Sequence, residues 1–170
     1  MALAAVAVLV LALIGILVVG RHNYTSTTFT DPNGRYSIGM GGTPKVNSSA
    51  SVNGATAYTY QSGPRDGVTV AAYSIPATTD VSDSSAVLKA ALDGGVSAVS
   101  GTSVNQQTGT YQGHPSLDAT LTAQQGSVTY YVGFREVLDD HTLFVVEVDG
   151  SNNPPAGFTE VANSLKIIKP

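Results

Sequence analysis

Leu138-Asp139-Asp140-His141-Thr142-Leu143-Phe144-Val145-Val146-Glu147-Val148 is the stretch on which the fold turns. Leu138 to His141 reads as a turn, and Leu143 to Val148 as a near-continuous apolar strand of the kind buried on both faces. Such a strand belongs at the centre of a sheet. Before the turn, Val128 to Leu138 is a second long strand, so the two make an antiparallel pair. Upstream again, Leu117, Ala119 and Leu121 alternate after the turn Gln112-Gly113-His114-Pro115, with Val104 and Thr108 to Tyr111 ahead of it. Gln124-Gln125-Gly126-Ser127 turns the chain once more.

The first half carries the same signals. Tyr36, Ile38 and Met40 alternate with Ser37 and Gly39 behind the tight turn Asp31-Pro32-Asn33-Gly34, with strands expected on either side of it, and Gly41-Gly42-Thr43-Pro44 ends the run. Ala55 to Gln61, with Tyr58 and Tyr60, and Val68 to Ile75 read as two strands joined by the hairpin Gly63-Pro64-Arg65-Asp66-Gly67. The period then changes. Asp80, Ser82 and Asp83 offer N-cap oxygens, and Leu88, Ala91, Leu92, Val96 and Val99 recur at spacings of three and four, which predicts an amphipathic helix stopped by Gly101. Gly94-Gly95 costs about 1 kcal/mol per residue relative to Ala, and is expected to end or bend that helix. A second, short helix is expected from Pro154 through Asn163, with a closing strand from Leu165 to Ile168. The order predicts an α+β domain, a twisted antiparallel sheet covered by helices.

Composition narrows the function classes. Of 170 residues only 12% are charged, against about 25% in an average soluble protein. The formal net charge is -4, with no cluster of Lys and Arg to neutralise phosphates, so nucleic acid is excluded as a partner. Cysteine is absent, which removes a disulfide framework, a thiolate metal site and a thiol nucleophile. The first residues differ from the rest: Met1 to Gly20 contains no charged residue, and Arg21 and His22 end the run. About 19 helical residues at ~1.5 Å each reach roughly 28 Å, close to the ~30 Å hydrocarbon thickness of a bilayer. The run is expected to be a single-pass transmembrane anchor, or an uncleaved signal, over residues 1–20, with a polar spacer at 21–28 and one domain at 29–168. Arg21 read by the positive-inside rule would put the domain in the cytoplasm. The Ser, Thr and Asn-rich body instead suits export, and an extracytoplasmic domain is the expectation.

Phe29…Gly34-Arg35-Tyr36-Ser37-Ile38…Gly42-Thr43-Pro44-Lys45-Val46 resembles the opening of bacterial surface domains with the PsbP/Mog1-like fold, of which the LpqN-type lipoproteins are examples. Ala57 to Gln61, Gly113-His114-Pro115 leading into Leu117 to Leu121, and Phe158…Ala162-Asn163-Ser164-Leu165-Lys166-Ile167 are similar to later parts of the same pattern. The family's first proline is replaced by Gly41, and the lipid-bearing cysteine of many members is missing. The resemblance implies a non-catalytic accessory or ligand-holding module without specifying its partner. From the residues themselves, no cofactor, no metal and a cell-envelope setting are expected. The module's partners would be the membrane, through the N-terminal helix, and an envelope protein or a lipid or sugar ligand.

Three groups of residues could carry chemistry. Tyr58, Tyr60 and Tyr130 are the candidate ligand contacts, because aromatic rings on a strand offer apolar area with a polar tip; Tyr58 and Tyr60 share one strand face. His114, Ser116 and Asp118 could suggest a hydrolase, but His114 falls in a turn ahead of the other two and no G-x-S-x-G elbow is present. Asp139, Asp140 and His141, with Glu136 and Asp149 as additions, fall short of the several oxygen ligands a hard cation needs and read as a solvated turn. Beside the binding module stand two alternatives, first the extracellular half of a sensor whose signalling part lies upstream, and behind it a hydrolase using His114 and an acid.

Overall fold

The computed structural model describes residues 27–47, 55–62, 66–98, 100–125 and 128–168. The apolar run Met1 to Gly20 lies outside them, and among the described residues no helix is long and apolar enough to cross a membrane. In chain order the elements are β1 (Thr27–Thr30), β2 (Tyr36–Met40), β3 (Lys45–Asn47), β4 (Ala57–Gln61), β5 (Gly67–Ser74), α1 (Ser84–Ala98), β6 (Thr102–Tyr111), β7 (His114–Gln125), β8 (Val128–Asp139), β9 (Thr142–Gly150), α2 (Phe158–Ser164) and β10 (Lys166–Ile167). The strands form two antiparallel sheets, not the single sheet expected. The large one runs β3-β4-β5-β9-β8-β7-β6 and the small one β1-β2-β10.

The expected central strand, β9, lies between β5 and β8 and has apolar layers on both sides. Alternation explains the two layers. Leu143 and Val145 point to one face with Ala71 and Tyr73 of β5, Phe134 of β8 and Leu117, Ala119 and Leu121 of β7, where α1 covers them through Val87, Leu88, Ala91 and Leu92. Phe144, Val146 and Val148 point to the other face with Val68, Val70 and Ala72, covered by the small sheet (Tyr36, Ile38, Met40) and by α2 (Phe158, Val161, Ala162).

Four local expectations change. The helix passes through Gly94-Gly95: a Cβ on Gly95 would stand 3.8 Å from the Phe134 ring, an ordinary contact, and burial of Leu88, Ala91 and Leu92 outweighs the propensity cost. Its N-cap is Asp83, whose Oδ1 accepts the Ala86 N–H at 3.0 Å. The second helix starts at Phe158 instead of Pro154, because Gly157 adopts φ 82, a left-handed conformation that cannot continue a right-handed turn. The β6–β7 turn needs only Gln112 (φ 52) and Gly113 (φ 86), so His114 leaves the turn and becomes the first residue of β7, opposite Tyr111. Thr27 and Thr28, read as spacer, are already paired with Met40 and Gly39 in the small sheet.

Candidate functional site

The three tyrosines do not form one surface. Tyr58 and Tyr60 pack with the small-sheet side of the large sheet, whereas Tyr130 packs on the α1 side. Tyr58 and Tyr60 are half-buried at an edge where three segments meet. The Tyr58 ring lies 4.7 Å from that of Phe29 on β1, Phe29 lies 6.3 Å from Tyr36, and Tyr36 lies 6.0 Å from Phe144, so a line of rings runs from this edge into the core. The Tyr60 ring covers Gly42, where an added Cβ would overlap it at 2.4 Å. That close approach gives the Gly41-Gly42 step a structural reason. Val46 stands directly opposite Tyr58 on β3 and is 62% exposed, an uncommon position for a large aliphatic side chain beside two aromatic rings.

The other candidates are engaged elsewhere. His114 Nδ1 lies 3.2 Å from Asp139 Oδ1 across the hairpin ends. Asp118 is taken by Arg135, whose Nε and Nη2 donate to its two oxygens at 2.7 and 2.6 Å. The same guanidinium donates from Nη1 to Asn163 Oδ1 at 2.8 Å and stacks 4.6 Å over the Tyr111 ring, while Tyr111 Oη and Gln112 Nε2 donate to the Leu165 carbonyl at 2.7 and 2.6 Å. This cluster fastens α2 and β10 to the β6–β7 hairpin, with Arg135 held in its charged form by Asp118 above all. A second clamp fastens the β1–β2 turn. Arg35 Nε and Nη2 donate to Asp31 at 2.8 and 3.2 Å and Nη1 reaches the Ala72 carbonyl at 3.2 Å. The Gly34-Arg35 pair of the recognised opening is therefore a turn glycine (φ 70) followed by this clamp.

Sequence reasoning gave Glu147 no role, and the α1 face of the sheet holds it with two more acids. Glu147 and Glu136 are each 1% exposed. Burial raises both carboxyls well above the usual carboxylate range, with Asp93 of α1 adding to the effect on Glu136 and Asp149 adding to it on Glu147. Glu147 and Asp149 alternate on one strand and hydrogen-bond to each other; burial pushes Asp149 up to about 7, opposed by the bond from Glu147. Among the described residues, Glu147 Oε2, Asp149 Oδ1 and Glu136 Oε2 have no hydrogen-bond partner. Beside them runs a polar line: Thr69, opposite Glu147 in register, shares a 2.9 Å hydrogen bond with Thr59, which accepts from Asn47 Nδ2 at 3.1 Å. Glu147 also raises the Tyr73 phenol to about 12, after burial. An acid inside an otherwise apolar strand was the available signal. Glu136 and Asp149 thus lie on the sheet face that carries α1 while Asp139 pairs with His114, and among the described residues no three metal-ligating side chains converge.

Two antiparallel sheets, one helix on each side of the larger sheet and the clamped β1–β2 opening define an α+β domain with a PsbP-like fold. Among solved structures, cyanobacterial PsbP (CyanoP) from Synechocystis sp. PCC 6803 is similar at a TM-score of 0.62 with 12% identity, over 89% of this chain and 97% of that one. A protein from Bacteroides thetaiotaomicron VPI-5482 is similar at 0.55, also at 12% identity, over 85% of this chain and 49% of that one. At such identities the likeness is one of fold alone. No family model matches the chain, and no curated protein matches it.

Proposed function

We propose that this chain is a non-catalytic binding or accessory module of a bacterial cell envelope, held at the membrane by its N-terminal apolar run with the domain outside the cytoplasm. The observation that carries the reading is the uncharged run Met1 to Gly20, separated from β1 only by Arg21 to Ser26. The PsbP-like fold supports the accessory part of it, since domains of this fold are often non-catalytic accessory modules. A further support is the use of the chain's chemistry-bearing side chains: Arg35, Asp31, Arg135, Asp118 and Asn163 bind elements of the domain to one another. A ligand or partner would be an envelope protein, a lipid or a sugar.

Protease accessibility in intact cells expressing the full chain tests the placement. Digestion from outside is the expected result. Protection until lysis, with an outer-surface control protein digested in the same cells, would make the domain cytoplasmic and Arg21 and His22 the better guide.

A further inference from the structure

The edge built by β1, the Gly41–Asn47 segment and β4 combines exposed apolar area with an unusual charge balance. Val46 is 62% exposed, and Phe29, Tyr58 and Tyr60 beside it are half-buried. Residues 27–30, 41–47 and 55–62, which form this edge, contain no Asp or Glu and one cation, Lys45, in a chain of net charge -4. Apolar side chains with phenol tips and a flanking lysine suit the boundary between lipid headgroups and acyl chains. Position argues for the same occupant. The apolar run ends at Gly20 and β1 begins at Thr27, so the six intervening residues span at most about 20 Å. Thr27 pairs with Met40, immediately before the Gly41-Gly42 step that Tyr60 covers, so the chain enters the domain at this edge.

We propose that the β1–β3–β4 edge, through Val46, Tyr58, Tyr60 and Phe29, rests on the surface of the bilayer in which the N-terminal run is anchored. The proposal rests on the anchored reading above. It places the opposite edge of the large sheet, β6, farthest from the lipid, free to meet a partner. An anionic leaflet strengthens the contact through Lys45, while the absence of carboxylates on the edge spares it repulsion.

The chain has no tryptophan, so a single one reports its own surroundings. The full chain carrying Val46→Trp is reconstituted into vesicles of phosphatidylcholine and phosphatidylglycerol, with and without lipids brominated in the acyl chains, beside a second chain carrying Val104→Trp on β6, where the native side chain is 49% exposed. The expected result is blue-shifted emission at position 46 that brominated lipid quenches, and solvent-like, unquenched emission at position 104. Emission at 46 that matches 104 while the protein floats with the vesicles overturns the membrane-facing edge and leaves the anchor standing. A blue shift at 46 without quenching means that protein, such as a second copy, covers the edge, and also overturns it. Failure to float with the vesicles overturns the anchor itself, and the edge proposal with it. Val46→Cys labelled with an environment-sensitive dye repeats the reading with a smaller substitution, again against no native background.

Discussion

The two faces of the seven-stranded sheet solve the same problem in opposite ways. On the small-sheet side two acids are each held by a guanidinium, the buried Asp31 by Arg35 and the part-exposed Asp118 by Arg135, both in two-pronged geometry. On the α1 side Glu136, Glu147 and Asp149 make no bond to a cation among the described residues, and burial raises all three. One face therefore pairs its acids with guanidinium groups, and the other raises them by burial without such a pair. A strand such as β9, with Val146 and Val148 on one side and Glu147 and Asp149 on the other, belongs to both regimes at once.

The comparison can be broken most severely on the paired side. Arg35→Ala leaves the Asp31 carboxylate, whose side chain has no solvent exposure, without its partner, and a loss of about 3 kcal/mol is expected. Chemical denaturation of the full chain in mild detergent reads it. Gly133→Ala comes next. Its Cβ would fall 2.6 Å from the Phe158 ring, so α2 must shift, at about 2 kcal/mol in the same assay. Arg135→Ala is expected to lose less than Arg35→Ala, about 1.5 kcal/mol, because Asp118 is 33% exposed and water can replace the guanidinium.

Glu136→Gln sharpens the other side, and here a gain is expected. The folded-state pKa of Glu136 is raised, so the folded protein binds this proton more tightly than the unfolded chain does. Its contribution to stability is complete below the ordinary carboxyl value of 4.5 and declines as pH rises toward the folded value. Glutamine fits the same space and does not titrate. The variant should therefore gain on the native chain as pH rises above 4.5 and lose that advantage in acid; denaturation midpoints at several pH values give the trend.

Much of this architecture was legible in the sequence. Period-two alternation located β2 and β7, flanking turn sequences located β5 and β8, the apolar run located β9 as central, and three-four spacing with Asp83 located α1, because each is a local signal from one stretch of chain. The division into two sheets was not legible. Strands β2 and β10 pair Ser37 with Lys166 across most of the domain, and two or three residues carry no period. The shared face of Tyr58 and Tyr60 followed from their spacing, but the placing of Tyr130 on the opposite face depends on which way β8 docks in the sheet. The carboxyl pair escaped for a related reason: Glu147 is buried because its strand is covered on both sides, and that cover comes from elements distant in the chain.

Infrared absorption of the carboxyl carbonyls at neutral pH tests the central contrast most directly, with the native chain set beside Glu136→Gln and Glu147→Gln. The expected spectrum contains a protonated-carboxyl band that weakens in each variant, since burial raises Glu136 and Glu147 well above the ordinary carboxylate range. A spectrum with carboxylate bands only, unchanged in that region by either substitution, would mean that burial does not raise Glu136 and Glu147 and that the contrast does not exist.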